Sequence, residues 1–328
     1  MDTKQQLLAY LEAHRGEYLS GETLAQQLHI SRAAVWKAMG ALKDAGYSIL
    51  AVRNRGYCLE TDRDKLSLSG LTANLDEYGI SCQPEIQDCV TSTNALVRER
   101  AASGAPEGLV ILANQQTAGR GRLGRDFYSP PDTGLYLSLL LRPRQMQPQH
   151  ATRITTMAAL AACEAIEAVT QQQPQIKWVN DIFLEGKKVC GILTEGSFNL
   201  ETGQLDDVVV GVGFNVYPPA EGFPEALSSI AAPLLRQQHS GAKSQLAAAF
   251  LNHFFRIYRM GEDADYASAY RARSMVIGKP IEVISPAGSR SALALDIDRD
   301  CRLIVRYEDG SIASLSSAEV SIRTEGMR

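Results

Sequence analysis

The segment Gln116-Thr117-Ala118-Gly119-Arg120-Gly121-Arg122-Leu123-Gly124-Arg125 sets three arginines among three glycines. Glycine lets a backbone approach a ligand closely and adopt φ > 0. Arginine presents a planar fork of donors matched to carboxylate and phosphate oxygens. Together they predict a loop that wraps a polyanionic ligand and orders around it, since a buried structural loop has no use for so much unpaired positive charge. Gly119, Gly121 and Gly124 also match Gly-x-Gly-x-x-Gly, the dinucleotide fingerprint. Their surroundings argue against that reading. A strand precedes them (Leu109 to Ala113), but Asp126-Phe127-Tyr128-Ser129-Pro130-Pro131-Asp132-Thr133-Gly134 is turn chemistry. No helix N-terminus is on offer to a pyrophosphate, so the arginines must hold the anion themselves.

Three further segments carry polar groups beyond what a core needs. Ser92-Thr93-Asn94 places small donors and acceptors on a loop or helix start. Lys177-Trp178-Val179-Asn180-Asp181 stands at the end of a strand. Lys188 leads into the apolar run Val189-Cys190-Gly191-Ile192-Leu193 and is a candidate for a positioned, partly desolvated charge. Its other reading is a hairpin lysine whose head snorkels to water.

These segments need elements to hold them. Leu7, Leu8 and Leu11 have helical spacing, and Ser20 is placed to cap a short helix carrying Leu24, Ala25 and Leu28. After His29-Ile30, Ser31 caps a second helix with Val35, Met39 and Leu42 on one face. That is a helix-turn-helix, with Arg32, Ala33, Ala34, Trp36 and Lys37 at the end that enters a major groove. Strands Tyr47 to Val52 and Tyr57 to Leu59 flank a basic turn, Arg53-Asn54-Arg55-Gly56, which reads as a wing over phosphates or the minor groove. Lys37, Lys43, Arg53 and Arg55 supply the positive surface. Residues 61 to about 78 are polar, with a modest helical tendency, and read as a linker.

A large α/β region follows. Leu135 to Leu141 is an apolar strand buried on both faces. Residues 151–169 form an Ala-rich helix. Ile176 to Trp178 is a short strand, and Ile182 to Leu184 pairs with Val189 to Leu193 in a hairpin. Val208 to Val212 is another buried strand, and Gln245 to Tyr258 a helix with Leu246, Phe250, Leu251 and Phe254 inward. From about residue 275, short strands at Ile281 to Ile284, Ala292 to Leu295, Leu303 to Val305 and Ile312 to Leu315 predict a small β-barrel of SH3-like size. The expected domains are 1–62, 63–274 and 275–328, a multidomain α/β (α+β) chain.

Composition bounds the rest. With 328 residues, 45% hydrophobic and 21% charged, the chain has room for two or three globular domains. No apolar run is long enough to span a bilayer and no signal peptide is read at the N-terminus, so the expected location is the cytoplasm. The six cysteines (58, 82, 89, 163, 190, 301) form no Cys-x-x-Cys pair, which fits a reducing compartment and argues against structural zinc. His253 lies in an apolar stretch and reads as a packed core residue. A formal net charge of −4 does not describe a general nucleic-acid binder, so any DNA contact must be local.

On Ser92-Thr93-Asn94, Gly119-Arg120-Gly121-Arg122-x-Gly124-Arg125, Lys177-Trp178-x-Asn180-Asp181, Lys188-x-x-Gly191-Ile192-Leu193 and Gly211-x-Gly213-x-Asn215-Val216, the chain resembles the bifunctional bacterial biotin–protein ligases that are also biotin-operon repressors (the BirA family). The resemblance runs nearly the whole length. It implies a winged helix, a central class II synthetase-like ligase domain with a mixed sheet, and an SH3-like C-terminal barrel. It also implies a two-step reaction. Biotin and MgATP give biotinyl-5′-AMP and pyrophosphate; a lysine of a biotin carboxyl carrier domain then takes the biotin and releases AMP. Biotin, ATP and Mg²⁺ carried by the ATP are the ligands, with no protein-held metal.

Arg122 and Lys188 are the expected catalytic cations, gripping carboxylate and α-phosphate. Arg120 is expected to help hold the loop closed. Ser92, Thr93, Asn94 and Gln116 match positions lining the biotin site. Gly119, Gly121, Asn180, Asp181, Gly191 and Asn215 complete the expected biotin and adenylate set. Ser31, Arg32, Ala33, Ala34, Trp36, Lys37, Arg53 and Arg55 are the expected DNA contacts. By the same resemblance the adenylate-bound chain forms a homodimer on a two-fold biotin operator, with no membrane partner. The other readings are a lipoate or octanoate ligase, which shares the fold and chemistry, and a non-catalytic repressor that senses an adenylate.

Three positions depart from the pattern. Val179 stands where proline is usual, with a small turn adjustment expected. Asp300-Cys301 replaces an Asp-Gly turn, and Ala318-Glu319-Val320 replaces Gly-Glu-Val; both are expected to alter local barrel geometry and not the chemistry. Arg323 is placed to reach the nucleotide side.

Arg122→Gly is expected to leave a leaky site that still makes the activated acid but releases it. Assaying free against bound adenylate checks this; tight retention by the variant would remove Arg122 from the role.

Overall fold

The computed structural model describes residues 3–44, 47, 49–60, 64–143, 146, 150–198, 205–239, 241–261, 265–285, 288–316 and 318–322. The N-terminal unit is built from α1 (Thr3–Ala13), α2 (Gly21–Gln27), α3 (Arg32–Asp44) and the antiparallel pair β1 (Ile49–Val52) and β2 (Gly56–Leu59). Ser20 Oγ accepts from Thr23 N at 2.9 Å and Ser31 Oγ from Ala34 N at 3.1 Å, so both helices start where a short polar side chain replaces a missing helical acceptor. Leu7, Leu11, Leu24, Val35, Met39 and Leu42 close one small core. Gly56 carries φ +100, and a Cβ there would collide with the Leu19 backbone, which bridges Tyr57. The β1–β2 turn therefore depends on glycine.

The segment expected to be a linker is folded from Asp64 onward. Ser67 caps α4 (Leu68–Ala73), Leu66 and Leu71 are buried, and Asp64 is only 5% exposed. Its polar composition hid this because the Asp64 and Ser67 side chains satisfy other elements instead of water.

The central unit continues through β3 (Gln83–Val90), α5 (Thr93–Ala102), β4 (Leu109–Gln116), β5 (Gly134–Leu141), α6 (Ala151–Thr170), β6 (Gln175–Lys177), β7 (Asp181–Leu184), β8 (Lys187–Phe198), β9 (Leu205–Asn215), α7 (Glu225–Ser228), α8 (Ala242–Arg259) and α9 (Ala267–Ala272). The sheet is mixed and seven-stranded, in the order β3-β4-β5-β9-β8-β7-β6. Only β3 and β4 are parallel among the described pairs, and α5 lies between them in sequence. Every residue of β5 is buried, as its apolar run predicts. The reason is layering. Leu135, Leu137, Leu139 and Leu141 face the core with α6 and α8, while Leu140 joins Ile111 and Val97 under α5. β8 runs further than its apolar stretch indicated, and β3 was not anticipated, because its residues are mostly half-exposed and carry little alternation.

His253 is a correction. It is half-buried on the polar side of α8, with Nδ1 3.0 Å from Glu164 Oε2, and does not pack in the core. The C-terminal unit is an antiparallel sheet of β10 (Pro280–Ser285), β11 (Gly288–Ile297), β12 (Leu303–Tyr307), β13 (Ile312–Leu315) and β14 (Glu319–Ile322), in the order β13-β12-β11-β10-β14. β14 was not read as a strand; it pairs with β10.

Phe250 of α8 is fully buried and meets Phe214 of β9 edge-on at 6.1 Å. Phe250→Ala is expected to cost about 3–5 kcal/mol of unfolding free energy. Chemical denaturation measures it, and a loss below about 1 kcal/mol would mean that the α6–α8 layer collapses to refill the space.

Candidate active site

The cleft forms where the C-terminal end of β4 meets the start of α5. Thr117 N donates to Val90 O and Ala118 N to Thr91 O, so the stem of the arginine–glycine loop is stitched to the chain that leads into α5. Ser92 sits at the N-cap position of α5. Gln116 Oε1 accepts from Thr93 N at 2.9 Å and from Thr93 Oγ1 at 3.1 Å, while Gln116 Nε2 donates to Ser129 Oγ at 3.0 Å. Beneath them lies a residue that sequence reasoning missed. Ser138, fully buried in β5, has its Oγ 2.7 Å from Thr93 Oγ1 and 2.6 Å from Asn94 Oδ1. It is the one small polar residue in an otherwise apolar and aromatic run, which was the available signal. Asn94 Nδ2 donates to Glu195 Oε2 at 2.8 Å, so its amide is held from within the protein.

Glycines keep much of the floor free of side chains. Gly191 of β8 pairs with Gly213 of β9, and Leu193 with Gly211. A Cβ at Gly211 would collide with Asn94 Oδ1, and one at Gly213 with the Phe127 ring. The glycines thus let α5 and Phe127 descend onto the sheet.

The loop folds back on itself. Gly121 N donates to Arg125 O at 2.7 Å and Phe127 N to Gly119 O at 2.9 Å, around a 3₁₀ turn at Arg122–Gly124. Arg122 donates to Asn180 Oδ1 at 2.9 Å and to Ala318 O at 3.2 Å. Arg125 pairs with Glu319 at 2.8 Å. Lys188 Nζ lies 2.7 Å from Asp181 Oδ1. Asn180 Nδ2 donates to Ile192 O at 2.8 Å, which fixes the amide that receives Arg122. Lys177 is half-buried here, and burial pulls its ammonium below the usual lysine range, with Lys188 adding to the effect and Asp181 opposing it. Arg120 is exposed and has no ion pair among the described residues.

The structure therefore brings Ser92, Thr93, Asn94, Gln116, Arg120, Gly121, Arg122, Asn180, Asp181, Lys188 and Gly191 to one cleft of about 380 Å³. Gly119 lies under the loop, where a methyl would meet Phe127 O at 2.5 Å. Asn215 stands behind the wall, its Nδ2 donating to Lys188 O at 3.3 Å. Neither lines the cleft. Phe127, Lys177, Glu319 and Val320 do, and the site reading omitted them. Five cationic side chains (Arg120, Arg122, Arg125, Lys177, Lys188) face three acidic ones (Asp126, Asp181, Glu319), so the cleft is positive in balance. Its size suits a drug-sized ligand.

The departures are closer to the chemistry than expected. Ala318 O holds Arg122, and Cys301 O accepts from Trp178 Nε1 at 2.9 Å while Cys301 itself stands at φ +60, in the left-handed region. Both are backbone contacts, which residue identity does not announce. The Trp178–Val179 peptide is cis, and Val179 O accepts from Tyr270 OH at 3.0 Å. Arg323 lies outside the described residues.

On the N-terminal unit, Arg32, Ala33, Trp36 and Lys37 share the open face of α3, with Trp36 73% exposed. Ser31 is spent as the cap and Ala34 is half-buried. Arg53 is exposed at the turn, and Arg55 stacks 4.0 Å over the Tyr18 ring.

Three family models match the chain: the biotin/lipoate A/B protein ligase family over residues 86–215, an HTH domain over 3–58, and the biotin protein ligase C-terminal domain over 276–323. The chain is 32% identical to a bifunctional ligase/repressor BirA from Bacillus spizizenii, over 97% of this chain and 98% of that one. It is 28% identical to the Escherichia coli protein of the same name, over 94% of each. It shares its fold with biotin protein ligase from Aquifex aeolicus in complex with biotin and ATP (TM-score 0.61, 24% identity, 74% of this chain and 98% of that one).

Gly211→Ala is expected to displace Asn94 and cost about 1–3 kcal/mol of stability. Denaturation together with a structure of the variant tests this; an unmoved Asn94 at unchanged stability would refute the close-packed floor.

Proposed function

We infer the activity from the premise that the chain belongs to the bifunctional ligase/repressor (BirA) family: it is an ATP-dependent biotin–protein ligase and a biotin-responsive transcriptional repressor. The observation that carries the ligase reading is the convergence of Arg122 and Lys188 on one cleft, each held by a fixed neighbour. A carboxylate and a triphosphate repel, and preorganised cations offset that repulsion at the moment charge builds on phosphorus. Arg122 uses two nitrogens on Asn180 and Ala318 and has further N–H donors to offer an anion. Lys188 shares its ammonium with Asp181 and has donors to spare.

In the first step the biotin carboxylate attacks the α-phosphorus, the Pα–O bond to the β-phosphate breaks, and pyrophosphate leaves. In the second, the neutral amine of a carrier lysine attacks the anhydride carbonyl and AMP departs, the ammonium proton passing to solvent. Arg122 and Lys188 steady the phosphate oxygens in both steps. Mg²⁺ enters with the phosphates of ATP and shields their charge. Thr93 and Gln116, ordered by Ser129 and Ser138, offer polar partners to the ureido ring, and the glycine floor admits the apolar bicycle. Phe127 and the folded loop limit water at the anhydride.

The finer readings belong to the same proposal. They are the domain limits 1–62, 63–274 and 275–328, the class II synthetase-like centre, the SH3-like form of the C-terminal sheet, the remaining site residues, the adenylate-dependent homodimer, the two-fold operator and a cytoplasmic location. The open faces of Trp36, Lys37, Arg32 and Arg53 support the DNA contact. No helix among the described residues is long and apolar enough to cross a membrane.

Mass spectrometry of the protein incubated with biotin and MgATP, with and without a biotin-carrier domain, tests the ligase. Bound biotinyl-5′-AMP is expected, disappearing as the carrier gains one biotin. Adenylate that never transfers would leave a sensor, and adenylate formed only with lipoate or octanoate would change the acid. Lys188→Gln is expected to slow adenylation at least 100-fold, about 2.7 kcal/mol of barrier; a change below tenfold would remove Lys188 from the phosphate.

A further inference from the structure

Three charged side chains among the described residues are buried and take no part in the chemistry above: Asp64, Arg153 and Lys243. Lys243, in the first turn of α8, is 1% exposed. Among the described residues its ammonium has one hydrogen bond, 3.4 Å from Asn114 Oδ1, and lies 5.8 Å over the Tyr217 ring. A lysine at a helix start opposes the helix dipole as well as paying for burial. The compensating charges are Asp64, 5% exposed, in the segment that follows the winged helix, and, with a smaller effect, Asp132. Asp64 Oδ1 accepts from Gly241 N at 2.9 Å, and its Oδ2 from Lys243 N at 2.8 Å and from Tyr217 OH at 2.7 Å. Asp64 is thus the cap of α8, supplied from a distant segment. Asp64 N donates in turn to Gln238 Oε1 at 3.1 Å, which fixes the main chain as well as the side chain.

Both arms of this cluster start beside the cleft. Asn114 is two residues before Gln116, and its Nδ2 holds Asp132 at 3.0 Å. Tyr217 N and Val216 N both donate to Thr133 O, just beyond the end of the arginine–glycine loop. On the other side, Ser67 Oγ donates to Glu12 Oε1 of α1 at 3.2 Å, and Lys65 lies 5.0 Å over Tyr47. Desolvation of both partners, with Asp64 raised and Lys243 lowered, fits a joint that is tight only when complete.

We propose that Asp64, through Lys243 and Tyr217, is the positioning residue that sets how the winged helix stands on the ligase unit, and that ligand in the cleft acts on DNA binding through it. This rests on the reading of the cleft as the biotinyl-adenylate site and of the N-terminal unit as DNA-binding. The joint is outside the reacting groups, so transfer and DNA binding separate when it is broken.

The test uses the full chain. A duplex is first enriched by the parent protein from a random DNA library in the presence of biotin and MgATP. Its affinity is then measured with and without biotin and MgATP for the parent, Asp64→Asn and Asp64→Asn/Lys243→Met, beside biotin transfer to a carrier domain. In both variants the ligand-dependent gain in DNA affinity is expected to fall at least fivefold, with transfer within twofold of the parent. The double variant, freed of the orphaned ammonium, regains thermal stability without regaining the gain. An unchanged gain in either variant overturns the proposal, as does a loss of transfer in proportion to DNA binding. Hydrogen exchange on the parent decides the matter if neither variant folds: the Gly241 and Lys243 amides are expected to exchange more slowly with biotin and MgATP, and unchanged exchange overturns it. A parent that enriches no duplex refutes the DNA reading, while the exchange of those amides still reports on the joint.

Discussion

Gathering cations in a partly desolvated cleft is unfavourable, and the rest of the site is arranged around that cost. Lys177 shows it directly, since burial pulls its ammonium below the usual lysine range. Asp181 lies against Lys188, Glu319 against Arg125, and neutral oxygens of Asn180 and Ala318 receive Arg122. Five cations still face only three carboxylates, so a positive balance remains for an anion to satisfy. A site neutralised within itself would be more stable and would bind phosphate poorly.

The compensating groups come from far apart in the chain, and this explains the mixed sheet. Loop, α5 start, β7 and β8 converge because the order β4-β5-β9-β8-β7 carries them along one sheet. The glycines of β8 and β9 then allow polar side chains of α5 and the ring of Phe127 to lie directly on the strands. Below, the uninterrupted burial of β5 between two helical layers keeps that platform rigid.

What could be read in the sequence follows the same division. The apolar period of α8, the run of β5 and the capping serines Ser20 and Ser31 are local signals, and the structure has those elements. The arginine–glycine loop, Thr93, Gln116 and Lys188 were visible because polar density there exceeds what a core uses. Ser138 was visible as an oddity and passed over. Asp64 and Ser67 read as solvated linker because their partners lie about 180 positions away in the chain. Ala318 and Cys301 contribute carbonyl oxygens, and a carbonyl has no letter in the sequence. His253 misled because its neighbours on the helix are apolar while its own side faces Glu164.

The hold of Ala318 on Arg122 also orders events in time. It joins residues 196 positions apart, and the Arg125–Glu319 pair has a similar span. A nascent chain on the ribosome can complete the mixed sheet and still lack both contacts, because the strand that supplies them is made late. The half-made protein therefore has a cleft without its fastening, and it gains a competent loop only when that last sheet zips onto it. The contacts that fasten Arg122 and Arg125 are thus among the last that a growing chain can make.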